Sequence, residues 1–151
     1  MMIDLTKDEK WMLYALKEAE KALKLDEVPI GAIIIKQDKI IGRGFNQVQS
    51  LGDPTAHAEV IAITSAANTI EDWRLNGSSI YITKEPCVMC FGAIINARIE
   101  KLYFGMEDSD KGFNKYQKDA NVDIPHINHI EGKILELDCK KIVQDFFKKK
   151  R

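Results

Sequence analysis

The run Ile30-Gly31-Ala32-Ile33-Ile34-Ile35 is apolar throughout and mostly branched at Cβ. Successive strand side chains point to opposite sheet faces, so an unbroken apolar strand must be hidden on both. Whatever this chain folds into therefore needs cover above and below this strand. Gln37-Asp38 reads as a turn, and Lys39 to Gly44 returns as the hairpin partner. The first cover lies upstream. Thr6-Lys7-Asp8-Glu9 has the spacing of a capping box. Met12, Leu16, Ala19 and Leu23 then recur at helical spacing, which predicts a helix over about 7–25. Pro29 and Gly31 mark its exit.

Downstream, Asp53-Pro54-Thr55 breaks the chain and a second helix is expected over about 56–69. Ser79 to Thr83 reads as a strand. Pro86 sits where a third helix begins, suiting its fixed φ and missing donor, and that helix covers about 87–97. Lys101 to Phe104 is another strand. The stretch 105–129 is rich in Asp, Asn, Lys and Gly and carries little pattern. Gly132 to Leu135 is expected as a last strand. Leu137 to Phe147 is a last helix with Ile142, Val143 and Phe146 inward. The order α-β-β-α-β-α-β-β-α implies an α/β fold, one sheet with helices on both faces.

The 151 residues suit a single domain, 1–151. A net charge of −1 gives no global pull toward nucleic acid, so RNA affinity would need a local patch. Lys148-Lys149-Lys150-Arg151 is such a patch, or a solvated basic tail. Met1-Met2-Ile3-Asp4 shows no signal-peptide pattern, and the longest apolar run is too short to span a membrane. Three cysteines argue against a disulfide framework. A cytoplasmic setting without membrane association is expected.

Two pieces carry chemistry: Pro54-Thr55-Ala56-His57-Ala58-Glu59 and Glu85-Pro86-Cys87-Val88-Met89-Cys90. A catalytic zinc takes three protein ligands and keeps a fourth position for water. Cys-x-x-Cys at a helix start puts both sulfurs on one side of one turn, where the positive helix end favours thiolate. His57 would be the third ligand. Glu59 is placed to move protons beside the metal rather than to bind it. Alone, the cysteine pair reads equally as redox or as half a structural zinc site. The other half is missing: Cys139 stands alone, and His126 and His129 have no matching spacing. Together, the two pieces form the known signature of zinc deaminases.

With these residues in view, the chain resembles the cytidine-deaminase superfamily, and within it the bacterial tRNA adenosine deaminases. Besides both motifs, the likeness covers Glu27 to Ala32, Asn46 after Gly44-Phe45, Asp72-Trp73-Arg74-Leu75, Ala97-Arg98-Ile99, Asn128-His129 and Phe146-Phe147. The resemblance implies a three-layer α/β/α fold with a five-stranded mixed sheet, and a homodimer. It implies one Zn2+ on His57, Cys87 and Cys90, with Glu59 as acid and base. It also implies that Asn46 and the Ala58 backbone touch the base, that Val28 lines the pocket and that Asp108 lies beside the nucleotide. The substrate it implies is the wobble adenosine of tRNA, converted to inosine.

Two departures bear on that substrate. The loop Met106 to Tyr116 is bulkier and more acidic than in the tRNA enzymes, and Phe91 follows Cys90 where those enzymes usually carry Ala. Glu107, Asp110 and Gly112-Phe113 look like guanine deaminases. An acidic loop suits a free base with several N–H donors, so a free nucleobase (guanine or cytosine) or a nucleoside is the alternative substrate. Phe91 reads as a pocket wall or a dimer contact. Trp11, Trp73, Phe146 and Phe147 read as core or interface, and Cys139 as a small apolar residue. A non-enzymatic partner subunit would lack one of the four motif residues, and a purely structural zinc domain would have a fourth ligand; neither pattern is present.

Overall fold

Residues 4–116 and 124–150 are described by the structure, a computed structural model. The capping box forms as the spacing predicts. The Glu9 amide donates to the Thr6 hydroxyl at 3.1 Å, and the Thr6 amide donates to the Glu9 carboxylate at 2.9 Å. Helix α1 follows over Lys7–Lys24. Met12 and Ala19 face inward, but Leu23 is exposed and Ala22 is buried in its place. Strand β1, Gly31–Lys36, turns through Gln37 and Asp38, both at positive φ, into β2, Lys39–Phe45. Two consecutive positive-φ residues are the backbone of a tight hairpin turn.

A short helix α2 spans Val48–Leu51, and α3 spans Ala58–Ile70. Strand β3 is Ser78–Lys84, helix α4 is Val88–Asn96 and strand β4 is Lys101–Met106. Another short helix, α5, covers Phe113–Tyr116. Strand β5, His129–Glu131, and helix α6, Glu136–Lys149, complete the order. Neither α2 nor α5 was expected; each is a single turn, too short to leave a period in the sequence.

The sheet runs β2-β1-β3-β4-β5. Strand β1 pairs antiparallel with β2 and β3, while β3–β4 and β4–β5 are parallel. It is the five-stranded mixed sheet that the resemblance implied. Alternation along β1 divides two cores. Ala32 and Ile34 pack with Ile80, Ile82 and Leu102 under Ala62, Ala66 and Ile94 of α3 and α4. Ile33 and Ile35 pack with Tyr81 and Tyr103 under Met12 and Ala15 of α1 and Cys139 of α6. Each face of β1 is covered, as its apolar run requires.

The last strand departs from expectation. Gly132 to Leu135 is not extended; Lys133 and Leu135 adopt positive φ. The amides of Lys133 and Ile134 donate to Gly105 and Phe104 carbonyls at 3.0 and 3.2 Å, and Ile134 inserts into the second core. The ladder is made instead by His129–Glu131, whose side chains are all exposed. Such a strand has no apolar alternation to read.

Two glycines fix how close α3 lies to the sheet. A Cβ on Gly44 would stand 2.3 Å from the Ala58 carbonyl, and one on Gly42 would stand 2.5 Å from that of Ala62. Without side chains there, the N-terminus of α3 rests directly on β2.

Phe91 is neither a pocket wall nor an exposed contact. It is 3% exposed and stacks on Phe113, with centroids 4.1 Å apart and planes 7° from parallel. Phe104 meets Phe113 edge-on at 6.2 Å. The bulk after Cys90 and the bulk in the divergent loop are thus one packing unit. Phe91→Ala is expected to cost about 3–5 kcal/mol of unfolding free energy. A double-mutant cycle with Phe113→Ala should show a coupling of about 1 kcal/mol, read by denaturant unfolding. A raised KM at unchanged stability would return Phe91 to the pocket.

Candidate active site

Helices α3 and α4 bring their N-termini together. Asp53 shapes the approach to α3: its Oδ1 accepts from the Thr55 amide and hydroxyl, each at 2.8 Å. The turn delivers His57 as the N-cap of α3. Cys87 is the N-cap of α4, so Pro86 lies one residue before the cap and not at the first helical position. The reason is that the N-cap needs extended backbone, which Cys87 supplies at φ −71° and ψ 173°. Neither His57 nor Cys87 spends its side chain on capping. Cys90 follows in the first turn of α4.

The three side chains converge. The His57 Nδ1 is 3.4 Å from Cys90 Sγ and 3.7 Å from Cys87 Sγ. All three ligand atoms lie within 4.8 Å of one another, and the group can hold a metal ion. Glu59 sits in the first turn of α3 and is 4% exposed. Burial pushes its carboxyl above the ordinary range. The Cys90 thiol and then the His57 ring hold the Cys87 thiol down at about 3.

A cleft of about 900 Å³ opens beside this group. Val28, Asn46, Ala58 and Asp108, the four substrate positions expected from sequence, all line it. So do His57, Glu59 and Cys87. The Asn46 side chain is held at both ends: its Nδ2 donates to the Val28 carbonyl at 3.2 Å, and its Oδ1 accepts from the Val48 amide at 3.3 Å. Ala58 opens α3, so its N–H has no partner within the helix.

Other cleft residues were not anticipated. Glu27 is 1% exposed and caps α2: its carboxylate accepts from the Gln49 amide at 3.1 Å and from the Ser50 amide and hydroxyl at 2.6 Å each. Burial alone would raise its pKa, but those donors outweigh it and hold the carboxyl below its ordinary value. Lys84 lines the cleft and pairs with Asp108 at 3.1 Å. Nothing in the local sequence marks either residue, because their partners are distant in the chain.

The acidity of the 106–116 loop is met on the spot. Asp108 pairs with Lys84, Glu107 with Lys133 at 3.8 Å and Asp110 with Lys115 at 3.8 Å. Asp108 Oδ1 also accepts from the Asp110 and Lys111 amides at 3.0 Å. Of these acids only Asp108 lines the cleft, and its carboxylate is already engaged by Lys84 and two amides.

At the far side of the cleft, Phe147 is 46% exposed and lines it, while Phe146 is buried with Lys150 over its ring at 5.6 Å. Phe147 is thus not core. Nor is Trp73, which is 53% exposed and flanked by the guanidinium groups of Arg74 and Arg98. Lys150 lines the cleft and pairs with Asp26, which puts part of the basic tail at the site. Arg151 lies outside the described residues. Cys139 is fully buried among apolar side chains, and His129 is exposed beside Glu131 at 3.2 Å. Among the described residues, no helix is long and apolar enough to cross a membrane.

A family profile described as MafB19-like deaminase matches residues 6–151. The tRNA-specific adenosine deaminase of Buchnera aphidicola is 44% identical over 146 residues, which cover 96% of this chain and 97% of that one. The chain belongs to the tRNA adenosine deaminase family. The Haemophilus influenzae member is 40% identical over 147 residues, covering 95% of this chain and 85% of its own. A solved structure from work on A-to-I editing by tRNA:A34 deaminases superposes with a TM-score of 0.82 at 36% identity, over 88% of this chain and 98% of that one. A guanine deaminase from Bacillus subtilis superposes less well, at 0.65 and 33% identity, over 79% of this chain and 73% of that one. The family's members are hydrolytic deaminases, and this chain is one of them.

Proposed function

We propose that this chain is a zinc-dependent deaminase that converts the wobble adenosine of tRNA to inosine. The observation that carries it is one imidazole and two sulfurs gathered beside a cleft that His57 and Cys87 line, next to a buried glutamate. The donor set suits zinc, which takes imidazole nitrogen and thiolate sulfur and in catalytic sites has three protein ligands. His57 Nδ1 lies 3.7 Å from Cys87 Sγ and 3.4 Å from Cys90 Sγ, close enough for one ion to be shared by all three. Bound there, zinc would lower the pKa of a coordinated water toward neutrality.

The side chains then divide the work. Asn46 and the Ala58 amide hold the flipped adenine, and Val28 packs along it. Glu59 accepts a proton from the water whose oxygen bonds to C6 of adenine, and passes that proton to N1. Glu59 then carries the second proton to the amine, the C6–N bond breaks and ammonia leaves. Glu59 is suited to this because burial raises its pKa and so favours the proton-bearing form.

The choice of tRNA over a free base draws on the relatives named for tRNA-specific adenosine deamination, and on the pairing of the loop's acids with lysines. The reading carries three further parts: a single catalytic domain over 1–151, a cytoplasmic location and a homodimer.

Salt separates the two substrates. The apparent affinity for a wobble-adenosine tRNA should fall steeply with salt, with a log–log slope of about −0.7 per phosphate contacted. Turnover on guanine or cytosine, with none on tRNA and no salt slope, would refute the tRNA reading and leave the deaminase chemistry standing.

A further inference from the structure

Glu85 is 5% exposed, and no step of the reaction uses it. It stands between the end of β3 and Cys87. Its Oε1 accepts from the Asp108 amide and its Oε2 from the Asn114 amide, each at 3.1 Å. Both donors belong to the segment 107–114, whose Asp108 and Lys111 form one wall of the cleft. The surrounding backbone completes the attachment. The Glu85 amide donates to the Met106 carbonyl at 2.8 Å, and the Phe113 amide donates to the Pro86 carbonyl at 2.9 Å. Cys87 and Gly112 form an isolated antiparallel bridge. Gly112 makes room for the carboxylate, since a Cβ there would stand 2.1 Å from Glu85 Oε2.

A carboxylate offers acceptors only, so one side chain satisfies two loop amides at once. A glutamine of the same shape has a single acceptor oxygen and would turn an N–H donor toward one of them. The bonds join residues 23 and 29 positions from Glu85, so they tether the loop to the metal-binding turn.

We propose that Glu85 is a positioning residue that sets the distance between the 107–114 wall and Cys87, and through it the affinity for the nucleotides flanking the target base. The substrate part rests on the tRNA reading above; the tether does not. The test uses Glu85→Gln and Gly112→Ala in the full chain. Amide exchange of Asp108 and Asn114 is followed in the free protein, and zinc content, KM and kcat are measured with a wobble-adenosine tRNA. In Glu85→Gln, exchange at both amides should rise about tenfold or more while α3 and α4 stay protected. KM should rise about tenfold, with kcat within about twofold and zinc content unchanged. Gly112→Ala should reproduce the pattern with residue 85 intact, and it decides the matter if Glu85→Gln does not fold. Wild-type exchange at both amides in the folded variants would overturn the proposal. So would a fall in kcat and zinc content at constant KM, since Glu85 would then serve Cys87 and not the loop. A wild-type protein inactive on tRNA would sink the substrate reading, and the exchange arm would still judge the tether.

Discussion

Glu59→Ala is expected to keep its zinc and lose about 10²–10⁴-fold in kcat, the range supplied by a positioned acid–base group. The residue lies in the first turn of α3, two positions from His57, and is almost fully buried. Its surroundings disfavour the charged form, which is what a group needs if it must take a proton and return it. The loss should fall on kcat, because alanine leaves in place Asn46 and the Ala58 amide, the groups proposed to hold the base. Metal content by atomic absorption and single-turnover kinetics check the two halves separately. A variant with full zinc and wild-type kcat would remove Glu59 from the mechanism. Loss of zinc would make it a ligand.

Cys90→Ala is expected to leave a folded protein holding less than about a tenth of an equivalent of zinc, and no measurable turnover. Cys90 is fully buried and its Sγ is the nearer of the two sulfurs to His57 Nδ1. With it gone, one imidazole and one thiolate remain, too few to retain the ion against dilution. Chelation of the wild-type protein should give the same inactive state, and added zinc should restore activity only to the wild type. Recovery of the variant by zinc would show that two ligands suffice.

The four motif residues were legible because their geometry is local. Each motif opens a helix, and an N-cap with its first turn fixes where side chains point almost independently of the rest of the fold. Asn46, Val28, Ala58 and Asp108 came from resemblance, and all four line the cleft. What escaped the sequence depends on contacts across long separations. Glu27 and Glu85 sit inside recognisable stretches with no role assigned to them, yet each is buried against amides 22 to 29 residues away. Phe91 and Phe113 read as two separate departures, and only the stack at 4.1 Å shows them to be one. The acidic loop pointed toward a free base until its partners Lys84, Lys115 and Lys133 were in view. Strand β5 was displaced by a few residues because the apolar pair Ile134-Leu135 lies just past the ladder, while the paired residues are exposed.

Purified protein is incubated with two otherwise identical tRNAs, one with adenosine and one with guanosine at the wobble position, and inosine and ammonia are quantified together. A tRNA adenosine deaminase gives inosine at that position and an equal amount of ammonia from the first tRNA, and neither from the second. Ammonia from free guanine or cytosine, with no inosine in either tRNA, would contradict that activity.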